Sequence, residues 1–186
     1  MTLQLEAAHM VLNVHNIDKM IDFYTTVLGF EVTDRGPLRA ATNGTGEIVF
    51  LSQIANHHHQ VAFVSGRATP EASNNTHHVA YRSRGTLADL KALLAKLEAN
   101  GEVTAIMPLT HGNAWSIYFR DPEFNGLEVF IDTPWHVQQP QGEPLNLKAS
   151  DEEIFSATEA TFRDRNQFGP IDEFYANRAE YLASKG

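Results

Sequence analysis

The sequence predicts an α+β fold: two tandem βαβββ modules followed by a helical C-terminal tail. Three observations carry this reading. "HMVLNVHNIDKMIDFYTTVLGFEV" from His9 and "HVAYRSRGTLADLKALLAKLEANGEV" from His78 repeat one pattern, a histidine on an alternating apolar segment, then an amphipathic stretch ending in glycine. Each copy then runs into three short strand-like pieces. His9 to His59 and His78 to Glu128 are both 50 residues, as expected of the first and last strands of a duplicated unit.

The elements follow in order. In the first copy Ile17, Met20, Ile21, Tyr24 and Leu28 recur at helical spacing, and Gly29 is placed like a helix C-cap. "FEVTDR", "EIVFLS" and "HQVAFVSG" then read as strands. In the second copy Leu87, Leu90, Leu93, Leu94 and Leu97 form the helical stripe, and Gly101 stands where Gly29 does. "EVTAIMP", "WSIYFRD" and "GLEVFID" are its strands. The modules occupy about residues 5–66 and 74–133, giving a domain over 1–133. From Pro134 the remaining 53 residues lie outside the repeat. "TPWHVQQPQGEP" reads as a linker or arm. Ser150 with Glu153 forms a capping box for a helix through "SDEEIFSATEATF", and "PIDEFYANRAEYLAS" reads as a last short helix. These tail helices are expected to pack on the module or on a second subunit, and their apolar faces (Ile154, Phe155, Phe162, Phe174, Tyr175) point to a homodimer or larger homo-oligomer.

Composition narrows the function. The chain has 186 residues, 42% of them apolar, with 11 Phe and 2 Trp, which suffices for a core. Its net charge of −9, from 14 basic and 23 acidic residues, comes with no basic stripe. That argues against duplex nucleic acid and against anionic lipid as partners. No apolar run approaches the twenty residues of a membrane span. "MTLQLEAAHM" lacks the basic and apolar regions of a signal peptide, so the cytoplasm is the expected compartment. With no Cys, a metal has to sit on histidine and carboxylate.

Two histidines and one glutamate, His9, His78 and Glu128, come from three separate strands. Two imidazoles and a carboxylate with open positions make the facial triad of non-heme Fe(II) enzymes, and Mn(II) and Zn(II) accept similar ligands. A glutamate within the apolar run "NGLEVFID" is costly unless paired or metal-bound, with Leu127 and Val129 on the opposite face. Strand alternation lets only one of His77 and His78 face inward. The match with His9 selects His78, and His77 is expected to face away.

The segment "HGNAWSIYFRDPEFNGLEVF" resembles the vicinal oxygen chelate superfamily, and within it the one-domain ring-cleaving extradiol dioxygenases. The signature residues are His111, Ile117-Tyr118, Asp121-Pro122 and Glu128; Phe124 stands where the signature has a small Gly or Pro. "DFYTTVLGFEV" is similar to that superfamily's first helix and following strand. The resemblance covers about residues 5–133. It implies modules whose mixed sheet curls into a cup around one metal, held by His9, His78 and Glu128. It implies Fe(II), with Mn(II), Zn(II) and Ni(II) as alternatives, and cleavage of a catechol with O2. It makes His59 a proton-transferring base and Tyr118 the hydroxyl that meets the substrate oxygen, with His111 beside it.

The same fold supports other chemistry. A glyoxalase I-type lyase or isomerase uses four symmetric ligands, and the fourth would be His59, where that family has a carboxylate or Gln. A Mn(II) thiol transferase of the fosfomycin-resistance type needs a basic cluster, and "GNAWSIYFRD" offers only Arg120. A drug-sequestering binding protein of the bleomycin type lacks the ligand set that this chain keeps.

Overall fold

A computed structural model describes residues 6–38, 46–71 and 76–184. The expected module starts, near 5 and 74, lie outside these residues. The first module runs β1 (Met10–Val14), α1 (Ile17–Thr26), β2 (Glu31–Pro37), β3 (Glu47–Ser52) and β4 (Val61–Ser65). The second runs β5 (Val79–Arg82), α2 (Leu87–Ala99), β6 (Thr104–Thr110), β7 (Ala114–Arg120) and β8 (Gly126–Asp132). The first sheet has the order β1-β4-β3-β2. The second has the same order one module on, with an added edge strand, β10 (Glu143–Pro144): β10-β6-β7-β8-β5. In each, the first and last strands of the module pair in parallel, β1 with β4 and β5 with β8, and the other pairs are antiparallel. The result is two mixed sheets, not closed into a barrel. No helix is long and apolar enough to cross a membrane among the described residues.

The helices form where apolar stripe and cap coincide. Asn16 caps α1, its side chain accepting from the Lys19 amide at 3.0 Å, and Ile17, Met20, Phe23 and Tyr24 are buried. Thr86 and Asp89 make a capping box on α2, whose buried face is Leu87, Leu90, Leu94 and Leu97. Gly29 sits at φ +80, the left-handed stop expected after a helix. Gly101 is not at positive φ; α2 ends instead on an extended Asn100. One apolar core serves both modules. Tyr24 meets Phe63 at 4.8 Å within the first module, while Phe23 reaches Phe119 at 6.3 Å and Phe30 reaches Tyr81 at 5.5 Å in the second.

The stretch expected as a linker contains two short strands. β9 (Trp135–His136) pairs with β11 (Gly169–Pro170), and β10 (Glu143–Pro144) extends the second sheet alongside β6. α3 (Asp151–Phe162) has the Ser150–Glu153 capping box and buries Ile154, Thr158 and Phe162. The Trp115 indole donates to the Thr158 hydroxyl at 2.8 Å, fixing α3 on β7. α4 (Ile171–Ala183) buries no side chain; Phe174 stacks on His136 at 3.7 Å.

A buried carboxylate locks the modules together. Glu123, in the β7–β8 turn and 1% exposed, accepts from the His15 amide at 2.9 and 2.8 Å and from the Asn16 amide at 2.6 Å. The Arg67 guanidinium lies 3.6 Å away. The carboxylate thus satisfies amides at the start of α1, where the helix dipole favours negative charge. Replacing Glu123 with Ala orphans those amides and is expected to cost about 3 kcal/mol in urea unfolding; a loss under about 1 kcal/mol would contradict the clamp.

Next to it, burial pushes the Asp121 carboxyl up to about 6, against the lowering effect of hydrogen bonds from Asn125 and the Glu123 amide. A carboxyl raised in the fold contributes stability below its unfolded pKa, 3.8, and that contribution is lost as pH rises through 6. The urea midpoint of Asp121→Asn relative to the unsubstituted protein should therefore improve from about pH 4 to about pH 7. A constant difference would contradict the burial effect.

Candidate active site

Glu128 is the middle of the site. It lies on β8, opposite Ala80 of β5 and Tyr118 of β7, and is 7% exposed. Its neighbours Leu127 and Ile131 turn into the core, so alternation sends the carboxylate to the other face. There the His78 Nε2 lies 3.2 Å from Oε2 and the His111 Nε2 lies 3.8 Å from Oε1. The Tyr118 hydroxyl is 3.0 Å from the His111 Nε2, and the His78 and Tyr118 rings meet edge to face at 5.2 Å. Burial, and then the hydrogen bond and charge of Glu128, hold the Tyr118 phenol protonated well above its ordinary range. Four of the six expected site residues, His78, His111, Tyr118 and Glu128, therefore meet around one carboxylate.

The other two stand together elsewhere. His9 and His59 stack tilted at 4.3 Å, with Phe50 at 4.8 Å from His59. Burial, then the adjacent His9 and His58, push the His59 imidazole below its ordinary value, which favours the neutral ring. His58 in turn contacts Asp34 at 2.9 Å. Among the described residues, no three His, Asp or Glu side chains are grouped so as to hold a metal ion. The donor chemistry fits a divalent cation, since His78 and Glu128 present an imidazole and a carboxylate to one point. The geometry supplies only part of a ligand set.

Two premises of the sequence reading change. His77 is exposed, and its Nδ1 lies 2.7 Å from the His78 Nδ1. Both residues precede β5, which starts at Val79, so strand alternation does not govern them. Nor does the equal spacing of 50 residues give equal places. Val11, two residues after His9, pairs with Ala62, whereas Ala80, two residues after His78, pairs with Glu128. The two registers differ by three residues, so the place of Glu128 in the first module belongs to Ala62, which is fully buried. His59 lies ahead of β4 instead of on it.

The turn after β7 shows how the signature is built. Phe124 takes φ +62, the left-handed region where a small residue is easiest. Gly126 allows β5 to approach β8, because a Cβ there would overlap the His77 carbonyl oxygen. A separate cavity of about 340 Å³, lined by Thr110, Glu143, Leu145, Ile154 and Thr158 among others, does not include His78, Tyr118 or Glu128.

A sequence scan matches this chain, over residues 6–129, to the Glyoxalase/Bleomycin resistance protein/Dioxygenase superfamily. The chain belongs to that family. It is 32% identical over 136 residues to biphenyl-2,3-diol 1,2-dioxygenase 2 of Rhodococcus globerulus, and 30% identical over 135 residues to biphenyl-2,3-diol 1,2-dioxygenase 3 of the same organism. Each match takes in 71% of this chain and spans 65% and 66% of those relatives. Among solved structures the fold is similar to a glyoxylase/bleomycin resistance protein/dioxygenase domain from Frankia sp. EAN1pec (TM-score 0.57, 18% identity, 70% of this chain and 94% of that one). It is also similar to the Listeria monocytogenes fosfomycin resistance protein FosX with Mn(II) and sulfate (TM-score 0.51, 20% identity, 72% and 95%) and to Leishmania major glyoxalase I (TM-score 0.53, 18% identity, 69% and 87%).

Gly126→Ala is expected to push His77 and His78 away from Glu128. The His78 imidazole signals should shift in NMR spectra and divalent-ion affinity should fall roughly 10-fold or more. Unshifted signals would contradict the close approach of β5 and β8.

Proposed function

We propose that the protein is an Fe(II)-dependent extradiol dioxygenase that opens a catechol ring with O2, with His9, His78 and Glu128 as the ligands. Mn(II), Zn(II) and Ni(II) suit the same donors. The observation that carries the reading is the asymmetry of the two modules. A four-ligand lyase of the glyoxalase I type needs a fourth donor at the place of Glu128 in the first module, and Ala62 stands there. A thiol transferase acting on a phosphonate needs cations around its substrate, and Arg120 instead donates to the Phe124 carbonyl at 2.8 Å. The dioxygenase relatives add weight from a separate direction.

Bound Fe(II) supplies the redox chemistry and lowers the pKa of the catechol hydroxyls. The protein's own groups do the rest. Tyr118, kept protonated, turns its single O–H from His111 to a substrate oxygen. His59, kept neutral, takes the proton a hydroxyl gives up and returns it later. The catalytic unit is residues 1–133, with 134–186 as an arm. The protein works in the cytoplasm as a homodimer or larger oligomer, on a small catechol, away from nucleic acid and membrane.

The test is oxygen uptake. Protein prepared without air, loaded with Fe(II) and given biphenyl-2,3-diol or catechol, should consume O2 in step with a yellow ring-opened product. Turnover of the methylglyoxal hemithioacetal with no O2 uptake would overturn the reading in favour of the lyase. His59→Phe should keep the metal and slow turnover by about 10²–10⁴-fold, the usual worth of a general acid/base. Metal loss in that variant would make His59 a ligand instead.

A further inference from the structure

We propose that the C-terminal arm is a working part of the site: the Gln141 carbonyl, positioned by Arg165, fixes His111 as the tautomer protonated on Nδ1, leaving a bare Nε2 facing Tyr118 and Glu128. The proposal rests on the reading of Tyr118 as the hydroxyl that meets the substrate oxygen, with His111 beside it.

The hairpin turn between β6 and β7 carries His111, and the arm bonds that turn at His111 and Asn113 and packs against Gly112. The Gln139 side-chain amide donates to the His111 carbonyl at 2.9 Å and to the Asn113 side-chain oxygen at 3.2 Å. The Thr133 hydroxyl, one residue ahead of the arm, donates to the Gly112 carbonyl at 2.6 Å. Gly112 sits at φ +79, and the space a Cβ would need there is filled by Val137 and the Phe162 ring of α3. A side chain at this position would drive the turn, and His111 with it, off the arm.

The ring itself is held from both ends. His111 Nδ1 is 2.5 Å from the Gln141 carbonyl oxygen, and Nε2 is 3.0 Å from the Tyr118 hydroxyl. A backbone carbonyl only accepts, so Nδ1 must carry the hydrogen. In the neutral ring Nε2 is then a lone pair, which accepts from the Tyr118 O–H. The opposite tautomer would aim an N–H at the phenol, and the Tyr118 O–H would lose its acceptor on His111.

Gln141 is in turn pinned. Its amide N–H donates to the Gln139 side chain at 3.0 Å, and its own side-chain amide donates to the Gln138 carbonyl at 2.7 Å. Arg165 donates to the Gln141 side-chain oxygen and, through its other terminal nitrogen, to Glu143 at 2.6 Å. Glu143 belongs to β10, in register with Thr110, the residue before His111. Arg165 also lies over the Phe162 ring at 4.7 Å. One guanidinium thus ties together Gln141, the strand beside His111 and the helix under Gly112. Arg165 is a positioning residue, since nothing in this arrangement brings it to the reacting atoms.

Side-chain 15N NMR of the metal-free protein reads the tautomer directly. The unsubstituted protein should show a protonated Nδ1 and a bare Nε2 on His111. Arg165→Met should convert this to a mixture of tautomers and, in the iron-loaded enzyme, lower kcat roughly 10-fold with KM little changed; Arg165→Lys should restore part of both. A protonated Nε2 in the unsubstituted protein, or an unaltered pattern in Arg165→Met, overturns the proposal. Should Arg165→Met not fold, Glu143→Gln removes only the ion pair and should move the pattern the same way; an unmoved pattern there overturns it equally. The NMR readout needs no turnover. A protein that cleaves no catechol would sink the functional reading and leave the tautomer standing, and one that cleaves catechol with a protonated Nε2 would sink this inference alone.

Discussion

A carboxylate buried in a sheet must be compensated, and the arrangement around Glu128 follows from that constraint. Leu127 and Ile131 fix β8 in the core, which leaves Glu128 no choice of face. On that face it meets His78, just ahead of the parallel neighbour β5, and Tyr118 from the antiparallel neighbour β7, with His111 beyond. Strand pairing sets Tyr118 against Glu128, His78 stands one residue ahead of β5, and His111 comes from the turn between β6 and β7. None of them depends on a long flexible loop, which suits chemistry that needs fixed distances.

The β7–β8 hairpin joins this local chemistry to the whole fold. At its turn, Glu123 holds the start of α1 in the first module. On its strands it carries Tyr118 and Glu128. At the far end of β7 the turn with His111 is held by the arm. The hairpin is therefore clamped at both ends by parts of the chain distant in sequence. The first module contributes differently. Its His9 and His59 rest against each other, and the place that mirrors Glu128 is the small, apolar Ala62. Duplication supplied two similar scaffolds, and only the second carries the buried carboxylate.

Much of this was legible in the sequence because the signals were strong ones. Period-two and period-3.6 apolar spacing marked both modules, and the capping box at Ser150 marked α3. Glu128 stood out as a charge in an apolar strand. What sequence could not give was register. Equal chain spacing from His9 and His78 did not survive a three-residue difference in strand pairing, which no composition signal encodes. The side-by-side contact of His77 and His78 was missed because β5 begins one residue later than alternation assumed. Glu123 carries no signal in the sequence, since its partners are backbone amides more than a hundred positions away. The Pro- and Gln-rich arm read as a linker for the same reason: it acts on His111 through a main-chain carbonyl, which has no side-chain signature.

The central claim is that His78 and Glu128, with His9, hold one divalent ion. A Mn(II) titration followed by electron paramagnetic resonance tests it most directly, because bound and free Mn(II) give different signals. The account predicts one tight ion per chain, lost on Glu128→Ala and on His9→Ala alike. Full binding by the Glu128 variant, or no binding by the unsubstituted protein, would contradict it.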